Sequence, residues 1–182
     1  MKFRIRHFQE VTSTNALARE QAAMGAPEGL VLVADYQSEG RGKPGRKWLS
    51  PPKKNLLFSL LIRPPIAVHR APFLTQVVCR SVASVLKNTC HLTATFKRPN
   101  DVMVRGKKIC GVLIEASSRS NSLLESAVVG IGVNVNATRD EIIPEATSVR
   151  EETHRRHDRR KLLQKILTQL NKDLRVFYDP IA

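Results

Sequence analysis

The sequence predicts an α/β domain on three observations. Two unbroken apolar runs, residues 30–34 and 56–62, have the length and Val/Leu content of buried strands. Two longer segments, residues 71–87 and 162–177, carry their apolar residues at helical spacing. The stretch 96–116 turns at Pro99-Asn100-Asp101 and again at Arg105-Gly106-Lys107, which reads as the tip of a hairpin with strands 102–104 and 108–114.

In chain order, Phe3, Ile5 and His7 alternate with charged residues, so a first strand is expected with one face on the core. Thr12-Ser13-Thr14-Asn15 supplies helix-capping oxygens before Leu17, Ala18, Gln21, Ala22 and Met24, and Gly25 and Pro27 end that helix. The strand at 30–34 then delivers the chain into a segment without apolar periodicity, where Gly40, Gly42 and Gly45 alternate with Arg41, Lys43, Arg46 and Lys47. It reads as a loop. Closely spaced glycines let backbone amides turn toward an anion while the guanidinium and ammonium groups supply charge, which suits a polyphosphate.

After the 56–62 strand, Leu74, Val77, Val78, Val82, Val85 and Leu86 mark the buried face of a helix that packs on the sheet. Leu92, Ala94 and Phe96 alternate like a strand, and another strand covers 123–135, ending in Gly130-Ile131-Gly132-Val133-Asn134-Val135-Asn136. Glycine inside a strand marks a close approach by a ligand or another backbone. Asp158 caps a last helix whose core face runs from Leu162 to Phe177.

With 182 residues, 42% of them hydrophobic, the chain is read as one domain over 1–182 and not as a disordered polyelectrolyte. The N-terminus alternates charge with hydrophobe, unlike a signal peptide, and no apolar run is long enough for a membrane span, so the expected location is cytoplasmic. Cys79, Cys90 and Cys110 have no metal spacing and are expected to be buried free thiols, and the five histidines form no ligand pattern. The net charge of +14 implies attraction to acidic partners, nucleotides among them, with nucleic acid as a second reading. Lys and Arg are scattered, however, and there is no helix-turn-helix, no zinc finger and only 5% aromatic residues for stacking.

The spacing Gly40-Arg41-Gly42, Gly45-Arg46, Trp48, Ser50-Pro51, followed by Asn55-Leu56 and Phe58-Ser59, resembles the biotin-binding loop of the biotin protein ligases. Four further motifs occur in the family's order: Ser13-Thr14-Asn15; Lys97 with Pro99-Asn100-Asp101, then Lys108, Gly111 and Glu115; Gly130, Gly132, Asn134 and Asn136; and Ala146-Thr147-Ser148-Val149. The resemblance implies a mixed β-sheet flanked by helices, the catalytic-domain fold of the biotin/lipoate ligases. It also implies ATP-dependent attachment of biotin to a lysine of a biotin carboxyl carrier domain, of the acetyl-CoA carboxylase type, through biotinoyl-AMP.

By the same resemblance, Ser13, Thr14, Asn15, Gln37, Gly40, Arg41 and Gly111 hold biotin, and Lys43, Arg46, Trp48, Lys97, Asn100 and Asn134 hold ATP or the adenylate. Lys108, with Arg41 and Lys43, is catalytic, and Asp101 binds Mg2+. On local grounds alone, Ser13 to Asn15 are equally caps, Asn100 and Asp101 turn residues, and Trp48 a core residue. Arg98 stands where the family has tryptophan, Lys43 where many members have arginine, with Pro44 after it, and Pro52-Lys53-Lys54 replaces a glycine-containing turn. No DNA-binding domain is expected before this domain and no SH3-like domain after it, and a homodimer is an expected assembly. The alternatives are a lipoate-type ligase or acyltransferase on the same fold, and a non-catalytic biotin- or nucleic-acid-binding homologue.

Overall fold

A computed structural model describes residues 1–118 and 123–179. Seven strands form one sheet in the order β1-β2-β3-β7-β6-β5-β4. They are β1 (Arg4–Val11), β2 (Leu30–Gln37), β3 (Leu56–Ile62), β4 (Ala94–Lys97), β5 (Asp101–Val104), β6 (Lys107–Ser118) and β7 (Leu124–Val133). Among the described strands only β1 and β2 pair in parallel, joined by the helix α1 (Thr14–Ala23); the other strand pairs are antiparallel, so the sheet is mixed. A parallel pair needs a crossover, and α1 is that crossover.

The period of two along β2 and β7 divides the interior. Leu30, Leu32 and Val128 face α1, while Val31, Val33, Val129, Ile131 and Val133 face a layer formed by α2 (Ala71–Cys90) and α4 (Arg159–Tyr178). Both faces of the central strands are covered, which is why residues 30–34 and 56–62 read as unbroken apolar runs. The two long helices run antiparallel: Ser81 Oγ donates to Asp173 Oδ2 at 2.6 Å, and Arg70 Nη2 donates to Phe177 O at 2.9 Å. Asp158 caps α4 by accepting from the amides of Arg160 and Lys161. α2 ends with His91 in the left-handed region at φ +57°.

Two expectations need correction. Ile5 is 49% exposed and His7 is also exposed, so β1 does not bury that face. The cause is position: β1 is an edge strand with one neighbour, and Phe8, on its other face, packs beside α1. Met24, counted on the apolar side of α1, is the exposed C-cap residue after the helix ends at Ala23. A short helix, α3 (Val149–Thr153), starts at the last residue of the Ala146-Thr147-Ser148-Val149 motif, with Ser148 as its N-cap. The three cysteines are buried and free, as expected. Among the described residues no helix is long and apolar enough to cross a membrane.

Candidate functional site

A cavity of about 820 Å³ opens on the α1 side of the sheet, with β6 and β7 as its floor. Its floor is low because Gly111 of β6 pairs with Gly132 of β7, leaving a strip without side chains. Trp48 fills the space above them. A Cβ built on Gly111 would stand 2.8 Å from the indole Cζ3, and one on Gly132 would stand 2.6 Å from Cε2.

One end of the cavity is a polar pocket at the start of α1. Ser13 is the N-cap, accepting from the Ala16 amide at 3.4 Å, so the capping role is real. The buried Thr14 and Asn15 do more than cap. Gln37 Oε1 accepts from Thr14 N at 2.7 Å and from Thr14 Oγ1 at 2.9 Å. Ser59 Oγ donates toward Thr14 Oγ1 at 2.7 Å and Asn15 Oδ1 at 2.6 Å, one proton serving two acceptors. Asn15 Nδ2 donates to Glu115 Oε2 at 2.8 Å, and Glu115 Oε1 lies 3.1 Å from Arg19 and 3.8 Å from Arg41. Gly130 leaves room for all this, since a Cβ there would stand 2.1 Å from Asn15 Oδ1.

The glycine-arginine segment is a short hairpin rather than an irregular loop. Arg41 and Lys47 form an antiparallel bridge, and Trp48 N donates to Gly40 O at 2.9 Å. Its tip is the turn Lys43-Pro44-Gly45-Arg46, closed by Arg46 N donating to Lys43 O at 2.8 Å with Gly45 at φ +78°. Proline at the second position and glycine at the third suit a type II turn, so Pro44 defines the tip instead of loosening it. Gly42, Lys43, Arg46, Lys47 and Arg41 all line the cavity. Gly40 does not: it is buried behind, where a Cβ would stand 2.4 Å from Trp48 O.

At the other end, Lys108 Nζ lies 2.7 Å from Asp101 Oδ1 and 5.3 Å from the centre of the Trp48 ring. The ammonium is thus held by a carboxylate and an aromatic face. Asp101 pairs with Gly111 across β5 and β6, and Asn100 Nδ2 donates to Val112 O at 2.7 Å, which anchors the turn. Lys97 lines the cavity, whereas the exposed Arg98 does not. Asn134 borders the cavity, but its amide is engaged with Thr147 O at 3.0 Å and with Asn55 Nδ2 at 3.3 Å.

Ser59 was matched only as the last residue of the loop motif, with no role given to it, and residues 140–145 were not singled out in the sequence. Asp140, Glu141, Ile143 and Glu145 line the rim. A hydrogen bond from the Thr138 hydroxyl holds Asp140 below its ordinary range, and the Thr138 amide does the same for Glu141. Lys54 sits 3.4 Å from Glu141, giving the Pro52-Lys53-Lys54 turn a partner on this rim. A serine within the apolar run Leu56–Ile62 was the available signal for Ser59; the rim segment has no periodicity to read. Burial pushes the Cys79 thiol up to about 12 and Cys110 well above its usual value, which leaves neither as a thiolate.

Of the carboxylates that line the cavity, Asp101 is the one held against Lys108, and among the described residues no three His, Cys, Asp or Glu side chains converge. One carboxylate plus substrate phosphates suffices for magnesium, so this donor set fits an ion that arrives with a nucleotide.

A sheet-floored cavity with a neutral hydrogen-bonding pocket at one end and Arg and Lys side chains along its roof has the chemistry to take a polar head group beside an anionic one. The chain belongs to the biotin/lipoate A/B protein ligase family, whose model matches residues 7–134. It is 34% identical over 169 residues to the bifunctional ligase/repressor BirA of Bacillus spizizenii, covering 91% of this chain and 52% of that protein. It is 32% identical over 164 residues to a biotin (acetyl-CoA-carboxylase) ligase of Mycobacterium tuberculosis, covering 87% of this chain and 59% of the relative. The chain therefore spans about half the length of the curated relatives it matches. Its fold superposes on a biotin protein ligase from Aquifex aeolicus in complex with biotin and ATP with a TM-score of 0.80 at 35% identity, over 96% of this chain and 72% of that one.

Proposed function

We propose that this chain is a biotin protein ligase domain that joins biotin to a lysine of a biotin carboxyl carrier domain through biotinoyl-AMP. The observation that carries the reading is Trp48 lying over the Gly111–Gly132 pair, between the Thr14-Asn15-Gln37-Ser59 pocket and Lys108. A bicyclic head group whose planar ureido ring carries N–H donors and a carbonyl acceptor matches that pocket, since Gln37, Thr14 and Asn15 present both kinds of partner. The acyl tail then passes beside the Trp48 ring, which occupies the glycine strip, toward Lys108.

In the first step the biotin carboxylate attacks the α-phosphorus of ATP, the bond to pyrophosphate breaks, and pyrophosphate leaves. Two anions must be brought together, and Lys108, Arg41, Lys43 and Arg46 supply the compensating charge on the cavity walls. Asp101 orients Lys108, and it is the residue that would hold a magnesium ion, whose charge would offset the phosphate oxygens. In the second step the acceptor ammonium loses a proton to solvent, the resulting amine attacks the acyl carbon and gives a second proton to solvent as the amide forms, and AMP departs. Asp140, Glu141 and Glu145 on the rim attract the incoming ammonium, and the hairpin over the cavity keeps water from the mixed anhydride.

Calorimetric titration of biotin with and without ATP and magnesium tests this reading. Biotin binding that tightens with nucleotide is expected. A folded sample that ignores biotin but binds lipoate would transfer the assignment to the lipoate branch of the family.

A further inference from the structure

The outer face of the α2–α4 layer lies on the opposite side of the sheet from the cavity and takes no part in the proposed reaction. Lys161, Lys165, Lys172 and Arg175 are exposed on α4, and at 100° per residue they fall on one stripe with Thr168. Arg80 and Lys87, seven residues apart, form a parallel stripe on α2. The antiparallel packing of the two helices sets these stripes side by side, because Ser81 meets Asp173 and Cys90 meets His157.

The face is free of opposing charge. α2 contains no acidic residue. Asp173 of α4 is turned inward, accepting from Ser81 at 2.6 Å and from Gln169 at 2.8 Å. Asp158 and Asp179 lie only at the ends of α4. None of the six basic side chains makes an ion pair or a hydrogen bond among the described residues. By contrast, Arg159 on the same helix turns inward, 2.9 Å from Asp35. The outward charges are therefore not structural.

We propose that this face binds the phosphate backbone of double-stranded nucleic acid, independently of sequence. Lys161 to Arg175 spans about 21 Å at 1.5 Å per residue. A duplex carries about one charge per 1.7 Å of axis, so that length presents about twelve phosphates, half of them toward one side, against six cations. The uncharged polar side chains beside the charges include Gln76, Ser84 and Gln164, which can donate to phosphate oxygens without reading bases. A membrane surface would call for an apolar face under the charges, and single strands for aromatic platforms. Phe73 and Val176 are exposed only at one end of the layer.

The test is fluorescence anisotropy of labelled, mixed-sequence duplex DNA and duplex RNA of about 20 base pairs, titrated with the full chain over a series of KCl concentrations. Binding to either duplex is expected, with a log–log salt slope of about −5 from six contacts. The variant K161Q/K165Q/K172Q/R175Q, checked for unchanged helix content and biotin binding, should flatten the slope to about −2 and weaken binding at least about 100-fold at low salt. Neutralising Arg4 and Arg6 on the edge strand, whose side chains reach Glu28 and Gln21, should cost less than about 5-fold by the same estimate. The proposal is overturned by any of four results: no duplex binding at about 50 mM salt; equal losses in the two variants; tighter binding to single strands or to vesicles rich in anionic lipid; or competition by polyglutamate as strong as by duplex.

Discussion

The indole of Trp48 rests on the α-carbon of Gly132, close enough that a Cβ there would lie 2.6 Å from Cε2. Real Cβ atoms are not found at that distance, so alanine at 132 forces the ring to move. Gly132 lies within β7 and carries no positive φ, so the strand itself accepts alanine. Gly132→Ala should leave the fold intact, shift the emission of the chain's single tryptophan, and weaken biotin binding by about 10-fold or more, the scale of a 1–3 kcal/mol packing conflict. Unchanged emission and affinity would show that the seat of the ring on the glycine pair does not shape the biotin site.

Ser59 is fully buried and holds both Thr14 and Asn15. Ser59→Ala removes a hydroxyl and leaves two oxygens short of a donor, at a cost of about 1–3 kcal/mol. Urea denaturation should show that loss, and calorimetry a drop in biotin affinity. A variant as stable as the parent would mean that Thr14 and Asn15 are satisfied without it.

Lys108 is the cation at the junction of the two anions in the proposed first step. Lys108→Ala should slow pyrophosphate release by about 100- to 1000-fold, the range seen when one charge-stabilising donor is lost. Biotin affinity in the absence of ATP should change far less. Parallel losses of both would make Lys108 a binding residue instead.

His157 gives the fold a pH dependence. Thr153 Oγ1 donates to Val149 O at 2.7 Å and so accepts from His157 Nε2 at 2.8 Å, leaving Nδ1 as the acceptor 3.9 Å from Cys90 Sγ. Burial first, and the Arg155 guanidinium second, hold the imidazole below its ordinary value of 6.5. Below that pH the unfolded chain takes up a proton that the folded chain resists, so stability falls as pH drops from about 6.5 and is level above it. Denaturation of the parent and His157→Gln across this range should show a smaller acid-side decline in the variant. Identical profiles would remove His157 from the account.

Much of this was legible in the residues themselves. β2, β3 and α2 announced themselves through continuous or 3.6-period apolar patterns, and the cavity's lysines, arginines and glycines through a long, particular spacing. Pairing across long separations was not. Asp35 and Arg159 meet at 2.9 Å, and Asn15 meets Glu115 at 2.8 Å, through a strand order that no local pattern encodes. Ile5 misled because alternation records which residues are apolar, not whether an edge strand has anything to pack against. Gly40 was expected among the biotin contacts, but it does not line the cavity, and its missing side chain leaves room for the Trp48 carbonyl.

The most direct test of the central claim is pyrophosphate release by this chain alone, with ATP and magnesium, in the presence and absence of biotin. The account predicts release that depends on biotin, stops near one equivalent per site without an acceptor, and is lost in Lys108→Ala. A folded sample that binds biotin yet releases no pyrophosphate above the biotin-free background would contradict it.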